Sequence, residues 1–199
     1  MIFTKTEIRV LELFVSRVLD SFTIREVSRL IKKDLKIVHT SIKKLISKGF
    51  LLKDKSGLRL NYKKNIEDLA YVENIRKEHF FKKHDLIKVH VLNFIKKSSL
   101  KLFVLLVFGS YAAGKEKRRS DVDLLAVLPS ESEKFERELK AVLSVSAKGF
   151  HINVIPEESF REMLHKRDEL NVINETLNNH IILYGAEQYY ALLGERDVR

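Results

Sequence analysis

Apolar positions fall at helical intervals through the first third of the chain and in unbroken runs further on. From Thr4 to Leu19, the residues Ile8, Leu11, Val15, Val18 and Leu19 share one face, which predicts a first helix ended by Asp20-Ser21. Thr23 followed by Glu26 has capping-box spacing, and Ile24, Val27 and Leu30 carry a second helix to Ile31. Lys33-Asp34 makes a tight turn. A third helix, Leu35 to Ser47, turns Val38, Ile42, Leu45 and Ile46 inward, and Lys48-Gly49 ends it with a residue suited to a left-handed cap. Phe50-Leu51-Leu52 and Leu58 to Tyr62 flank a polar turn, Lys53 to Gly57, and predict a short hairpin.

Residues 66–97 show one long helical pattern or two joined ones, through Leu69, Val72, Ile75, Phe80, Leu86, Val89, Leu92 and Ile95. His79, His84 and His90 lie among them without the i, i+4 spacing of a helical metal pair, so packing or surface roles are expected. From Lys101 the pattern changes. Leu102–Phe108 and Val122–Leu128 are continuous apolar runs of strand length, typical of buried strands. Phe135 to Val145 is helical and Phe150 to Ile155 is a third strand. Pro156 starts a helix through Leu164, Leu170 to Ile182 forms another, and Ala186 to Leu193 a short last one. Strands alternating with helices predict an α+β or α/β second half.

Charge divides the chain further. Residues 1–62 carry 14 Lys+Arg against 6 Asp+Glu, residues 63–100 carry 9 against 5, and residues 101–199 carry 14 against 16. The formal net charge of +10 therefore arises before residue 101, and a polyanionic partner is expected there. Three helices and a hairpin predict a winged helix-turn-helix over residues 1–62. Its third helix would present Lys36, His39, Thr40, Lys43 and Lys44 to double-stranded DNA, with Lys53 and Lys55 of the wing on the phosphates. Cysteine is absent, which excludes disulfides and thiolate-bound zinc. No apolar run spans a bilayer and the first residues lack signal-peptide character, so a soluble, cytoplasmic protein without membrane contact is expected.

The chemistry concentrates between Val107 and Leu124. A buried strand ends in Gly109-Ser110, a short helix follows, and a charged loop leads to Asp121-Val122-Asp123 and a second apolar run. Gly109 lets the backbone approach a phosphate, and Ser110 offers a hydroxyl and a backbone N–H at a helix start that favours anions. Asp121 and Asp123, two apart on a strand, point to one face and make a hard oxygen site for Mg²⁺. Arg118 and Arg119 stand before them with reach toward phosphate. Tyr111 is expected in the helix–sheet interface.

This segment resembles the hG-[GS]-x9–13-Dh[DE]h signature of the DNA polymerase β-like nucleotidyltransferase superfamily, especially its minimal nucleotidyltransferases, over roughly residues 101–155. The resemblance implies a mixed sheet flanked by helices, and a nucleoside triphosphate held through Gly109, Ser110 and Mg²⁺. It also implies transfer of a nucleoside monophosphate to a hydroxyl acceptor, with Asp121 and Asp123 as the metal-binding pair. The superfamily includes antibiotic-modifying enzymes and antitoxins paired with toxin proteins, which brings a protein partner or homodimer into view. The family often adds a third carboxylate on the next strand. Here that strand is His151-Ile152-Asn153-Val154-Ile155, with Asn153 at the corresponding place and His151 on the same face. Asn ligates metal but is not an effective base, so a catalytically weak nucleotide-binding regulator or antitoxin-like module is the alternative to an active transferase. The expected organisation is a winged helix-turn-helix (1–62), a helical linker (63–100) and a nucleotidyltransferase domain (101–199).

Overall fold

The computed structural model describes residues 3–165 and 172–195. Three helices come first, α1 (Lys5–Ser16), α2 (Ile24–Ile31) and α3 (Leu35–Ser47), then an antiparallel hairpin of β1 (Leu51–Asp54) and β2 (Gly57–Leu60). Thr4 and Thr23 each close a capping box, with Glu7 and Glu26, and Asp34 caps α3 by accepting from the Lys36 and Ile37 amides. The first helix stops at Ser16, short of Leu19. Arg17 leaves helical geometry at φ −136°, yet Val18 is still buried, so the apolar pattern outlasts the helix. The hairpin closes more tightly than expected, pairing Asp54 with Gly57, and Phe22 adds a bridge to Leu58.

The two joined helices are α4 (Ile66–Lys83) and α5 (Asp85–Lys97). A mixed four-stranded sheet follows, with β3 (Val104–Phe108), β4 (Val122–Leu128), β5 (Phe150–Pro156) and β6 (Ile181–Tyr184) in the order β5-β4-β3-β6. β3 runs antiparallel to β4 and β6, and β4 runs parallel to β5. A four-residue helix α6 (Gly109–Ala112) lies between β3 and β4, and α7 (Glu133–Ser144) supplies the crossover that a parallel β4–β5 pair requires. α8 (Glu157–His165), α9 (Val172–Asn178) and α10 (Ala186–Gly194) complete the chain.

Two expectations change here. The first sheet strand begins at Val104, because Leu102 is 61% exposed while Phe103 turns into the core. The helix expected from Leu170 to Ile182 divides. Residues 166–171 lie outside the described residues, α9 occupies Val172–Asn178, and Ile181–Tyr184 is an edge strand on β3. Ile182 faces one core and Leu183 the other, the alternation of a strand.

Each sheet face is buried. On one, Val104, Leu106, Phe108, Leu125 and Val127 meet Phe160, Leu164, Ile173 and Tyr189, and that core runs on without a break through Leu69 and Val72 of α4 to Phe14 and Leu45 in the first three helices. On the other, Leu105, Val107, Leu124 and Ala126 meet Phe81, Val91, Phe94, Phe135 and Leu139. A buried polar cluster fastens α4 to the C-terminal elements. The Glu73 carboxylate accepts from Arg76 Nη1 at 2.7 Å and from the Tyr190 hydroxyl at 2.9 Å, and Arg76 also donates to the His180 carbonyl.

Candidate active site

The site begins where β3 ends. Gly109 opens α6 at φ +65°, a left-handed conformation that L side chains rarely adopt. The register pairs Phe108 with Asp123, so the Asp123 carboxylate lies over Gly109 in the space a Cβ would fill. Glycine is required here on both counts. Ser110 is half-buried in the first turn of α6, and among the described residues its hydroxyl makes no hydrogen bond. The helix is a single turn, and its Ser110 carbonyl accepts from the Lys115 amide at 2.9 Å.

The loop from Gly114 to Ser120 is held from several sides. Ser120 Oγ accepts from the Lys117 amide at 2.9 Å, Tyr111 donates its hydroxyl to the Ser120 carbonyl at 3.4 Å, and Lys148 Nζ donates to the Arg118 carbonyl at 3.0 Å. Tyr111 is 4% exposed, in the helix–sheet interface as expected, with the His84 ring against its edge. Burial lowers the His84 pKa, opposed by Glu116 and assisted by Lys83 and Lys148. Its ring therefore tends to the neutral form beside α6.

Asp121 stands exposed immediately before β4, where the Val122 amide donates to the Gly149 carbonyl at 2.9 Å. Its carboxylate occupies the space in front of Gly149, where any larger residue would displace it. Asp123 is half-buried, and His151 Nδ1 lies 3.5 Å from its Oδ1. The parallel register explains the contact, since it sets His151 beside Asp123 and Asn153 beside Leu125. The side chain of β5 that meets the acid pair is thus His151, and Asn153 sits one step further along.

The structure brings Gly109 and Asp123 together and sets Asp121 at the same end of β4, against the start of β5. It leaves Arg118 and Arg119 exposed, and among the described residues neither forms an ion pair. Glu157 is engaged by Arg161 at 3.0 Å and Gln188 at 2.5 Å, a helix-start network away from the acids. Gly149 and Lys148 carry no signal of their own in the sequence, because their place follows from the β4–β5 register. Lys36, His39, Thr40, Lys43, Lys44, Lys53 and Lys55 are all exposed, in α3 and the hairpin.

Among the described residues no group of three His, Asp or Glu side chains gathers as a metal cage. Asp121 and Asp123 offer carboxylate oxygens only. That donor set fits Mg²⁺, which is held by one or two carboxylates and completes its shell with water and phosphate oxygens. Among the described residues no helix is long and apolar enough to cross a membrane.

Residues 89–183, from α5 to β6, match the family model described as "Nucleotidyltransferase domain". The matched stretch contains Gly109, Ser110, Asp121 and Asp123. No curated protein matches the chain. A solved structure described as "Crystal structure of the toxin-antitoxin with AMP-PNP" is similar at 17% identity and a TM-score of 0.36, covering 53% of this chain and 78% of that one.

Proposed function

We propose, from the match of residues 89–183 to a nucleotidyltransferase domain, that this chain transfers a nucleoside monophosphate from a nucleoside triphosphate to a hydroxyl acceptor. The observation that carries this reading is the seating of the Asp123 carboxylate directly over Gly109, fixed by the Phe108–Asp123 register pair. Gly109 leaves room for the Asp123 carboxylate, and the Ser110 hydroxyl and amide donate to the triphosphate oxygens. Asp121 and Asp123 would hold Mg²⁺, which would supply positive charge to stabilise the triphosphate oxygens. His151, 3.5 Å from Asp123, is the side chain of β5 nearest the acid pair. Residues 1–62 act as a winged helix on double-stranded DNA, α3 entering the groove through Lys36, His39, Thr40, Lys43 and Lys44, with Lys53 and Lys55 on the backbone. This assignment also takes residues 63–100 as the connecting helices and residues 101–199 as the transferase domain.

The reaction is tested by incubating the full chain with each of the four α-labelled triphosphates, Mg²⁺ and candidate acceptors, the chain's own hydroxyls included. Label appears in an acceptor with the native protein and is lost in Asp121→Asn. Absence of transfer from every triphosphate would contradict the reading.

A second reading has its own support. No carboxylate of β5 faces the acid pair, since His151 and Asn153 occupy that face. A nucleotide-binding regulator with slow or absent transfer fits that arrangement. It predicts Mg²⁺-dependent triphosphate binding and salt-sensitive duplex binding without labelled product.

A further inference from the structure

A cleft of about 650 Å³ opens between the three-helix unit and α6, and it is separate from the acid pair. α1, α2, α4 and α6 all contribute to it, and none of Gly109, Ser110, Asp121 and Asp123 lines it. That volume suits a ligand of mononucleotide size.

Its chemistry is two-sided. Arg9, Lys32 and Lys83 line the cleft, all exposed, and among the described residues none of them forms an ion pair. Two acids also line it, Glu12 with His79 at 3.6 Å and Glu116 with His84 at 3.8 Å, so two carboxylates stand against these three cations. Positive charge is therefore in excess on this wall, and an anion is the ligand it favours. Leu30 and Phe80 supply an apolar wall, and Leu30 is 42% exposed, an uncovered apolar side chain facing the space. A ligand with an anionic end and a flat apolar part satisfies both.

We propose that this cleft binds a nucleoside monophosphate as an effector, its phosphate held by Arg9, Lys32 and Lys83 and its base laid against Leu30 and Phe80. Lys32 is the left-handed cap of α2, at φ 51°, and Asp34 is already the N-cap of α3. A phosphate on Lys32 thus acts on the short turn that aims α3. On the opposite wall the ligand meets Tyr111, in the same helical turn as Ser110. The ligand site stands on this geometry alone. Only its coupling to duplex affinity rests on the reading of residues 1–62.

The test is equilibrium dialysis of the full chain against labelled AMP in EDTA, which silences any Mg²⁺-dependent site. Saturable binding is expected, unchanged in Asp121→Asn/Asp123→Asn and weakened at least about tenfold in Lys32→Glu/Lys83→Glu. Both lysines are exposed, so unchanged circular dichroism and melting are expected of that variant. Leu30→Lys, which intrudes on the apolar wall, is expected to weaken AMP while leaving inorganic phosphate binding in place. AMP is expected to bind more tightly than either adenosine or inorganic phosphate. No AMP uptake, uptake abolished by the aspartate variant, or equal uptake by the lysine variant would overturn the proposal. Inorganic phosphate binding as tightly as AMP would overturn the nucleotide assignment.

Discussion

A methyl group at Gly109 would enter the space of the Asp123 carboxylate and would also have to adopt φ +65°. Gly109→Ala is expected to cost about 1–3 kcal/mol of stability, from left-handed strain and the displaced acid, and to reduce transfer far more than that loss alone would. Urea denaturation alongside initial rates separates the two effects. Acid sensitivity is a residue-scale property too. Burial pushes the Glu73 carboxyl up, but Arg76, His180 and Tyr190 together outweigh it, and the group sits below its ordinary value of 4.5. The folded chain then binds fewer protons than the unfolded one as acid is added. The stability that Glu73 contributes is present above the ordinary carboxyl range and is lost as pH falls through it. His84, lowered by burial from 6.5, acts in the same direction at higher pH, since its charged form is disfavoured only in the folded state. Melting temperature is therefore expected to fall in two stages, first as pH drops below about 6.5 and again below about 4.5. Glu73→Gln is expected to flatten the lower stage while costing about 3–5 kcal/mol overall, because Arg76 is left buried without its counter-charge. None of this cluster is legible in the sequence, where Glu73, Arg76 and His180 are unremarked polar residues on separate elements. The acid pair and Gly-Ser were legible because their chemistry sits within one short stretch. The contact of His151 with Asp123 needed the strand register.

At the scale of elements, the chain's own punctuation did most of the work. Thr23 with Glu26, Asp34, and Gly49 at φ +79° place the ends of α2 and α3 through local hydrogen bonds and backbone geometry, so the sequence expresses them directly. β6 was hidden for the opposite reason. Ile181-Ile182-Leu183-Tyr184 is too short for its periodicity to separate strand from helix, and only the free edge of β3 decides between them. The exposed lysines of α3 are the groups proposed to meet a duplex. Lys43→Glu/Lys44→Glu is expected to leave the melting transition within about 0.5 kcal/mol of the parent. The same variant should weaken duplex binding and lower the slope of log affinity against log salt by about two or more, if both lysines contact phosphate. Fluorescence anisotropy with a labelled duplex across a salt series measures both. An unchanged slope would remove α3 from the interface.

Across the whole molecule, residues 63–100 are structural rather than a loose tether. α4 lies between the first three helices and the C-terminal elements, and Leu69 and Val72 join their cores into one. Local patterning gave one long helix or two joined ones for this segment but no sign of what they touch, since those contacts are long-range. One continuous core predicts one cooperative unfolding transition, with far-ultraviolet circular dichroism and tyrosine fluorescence coinciding. Leu69→Ala, fully buried at the junction, is expected to lower the stability of the entire chain by about 2–5 kcal/mol. Two separated transitions would show instead that the halves fold independently. The uneven charge, positive before residue 101 and slightly negative after it, is carried by this one folded body, so a polyanion and a nucleotide would meet different faces of it.

On the proposed reading, the acid pair and the Gly109-Ser110 turn together hold a divalent cation and a triphosphate. Isothermal titration of a non-hydrolysable nucleoside triphosphate into the full chain tests it most directly, with Mg²⁺ and again with EDTA, beside Asp121→Asn/Asp123→Asn. Saturable binding that requires Mg²⁺ and disappears in the folded double variant is the predicted result. Binding of equal strength in that variant with Mg²⁺ present, or no binding by the native chain, would contradict it.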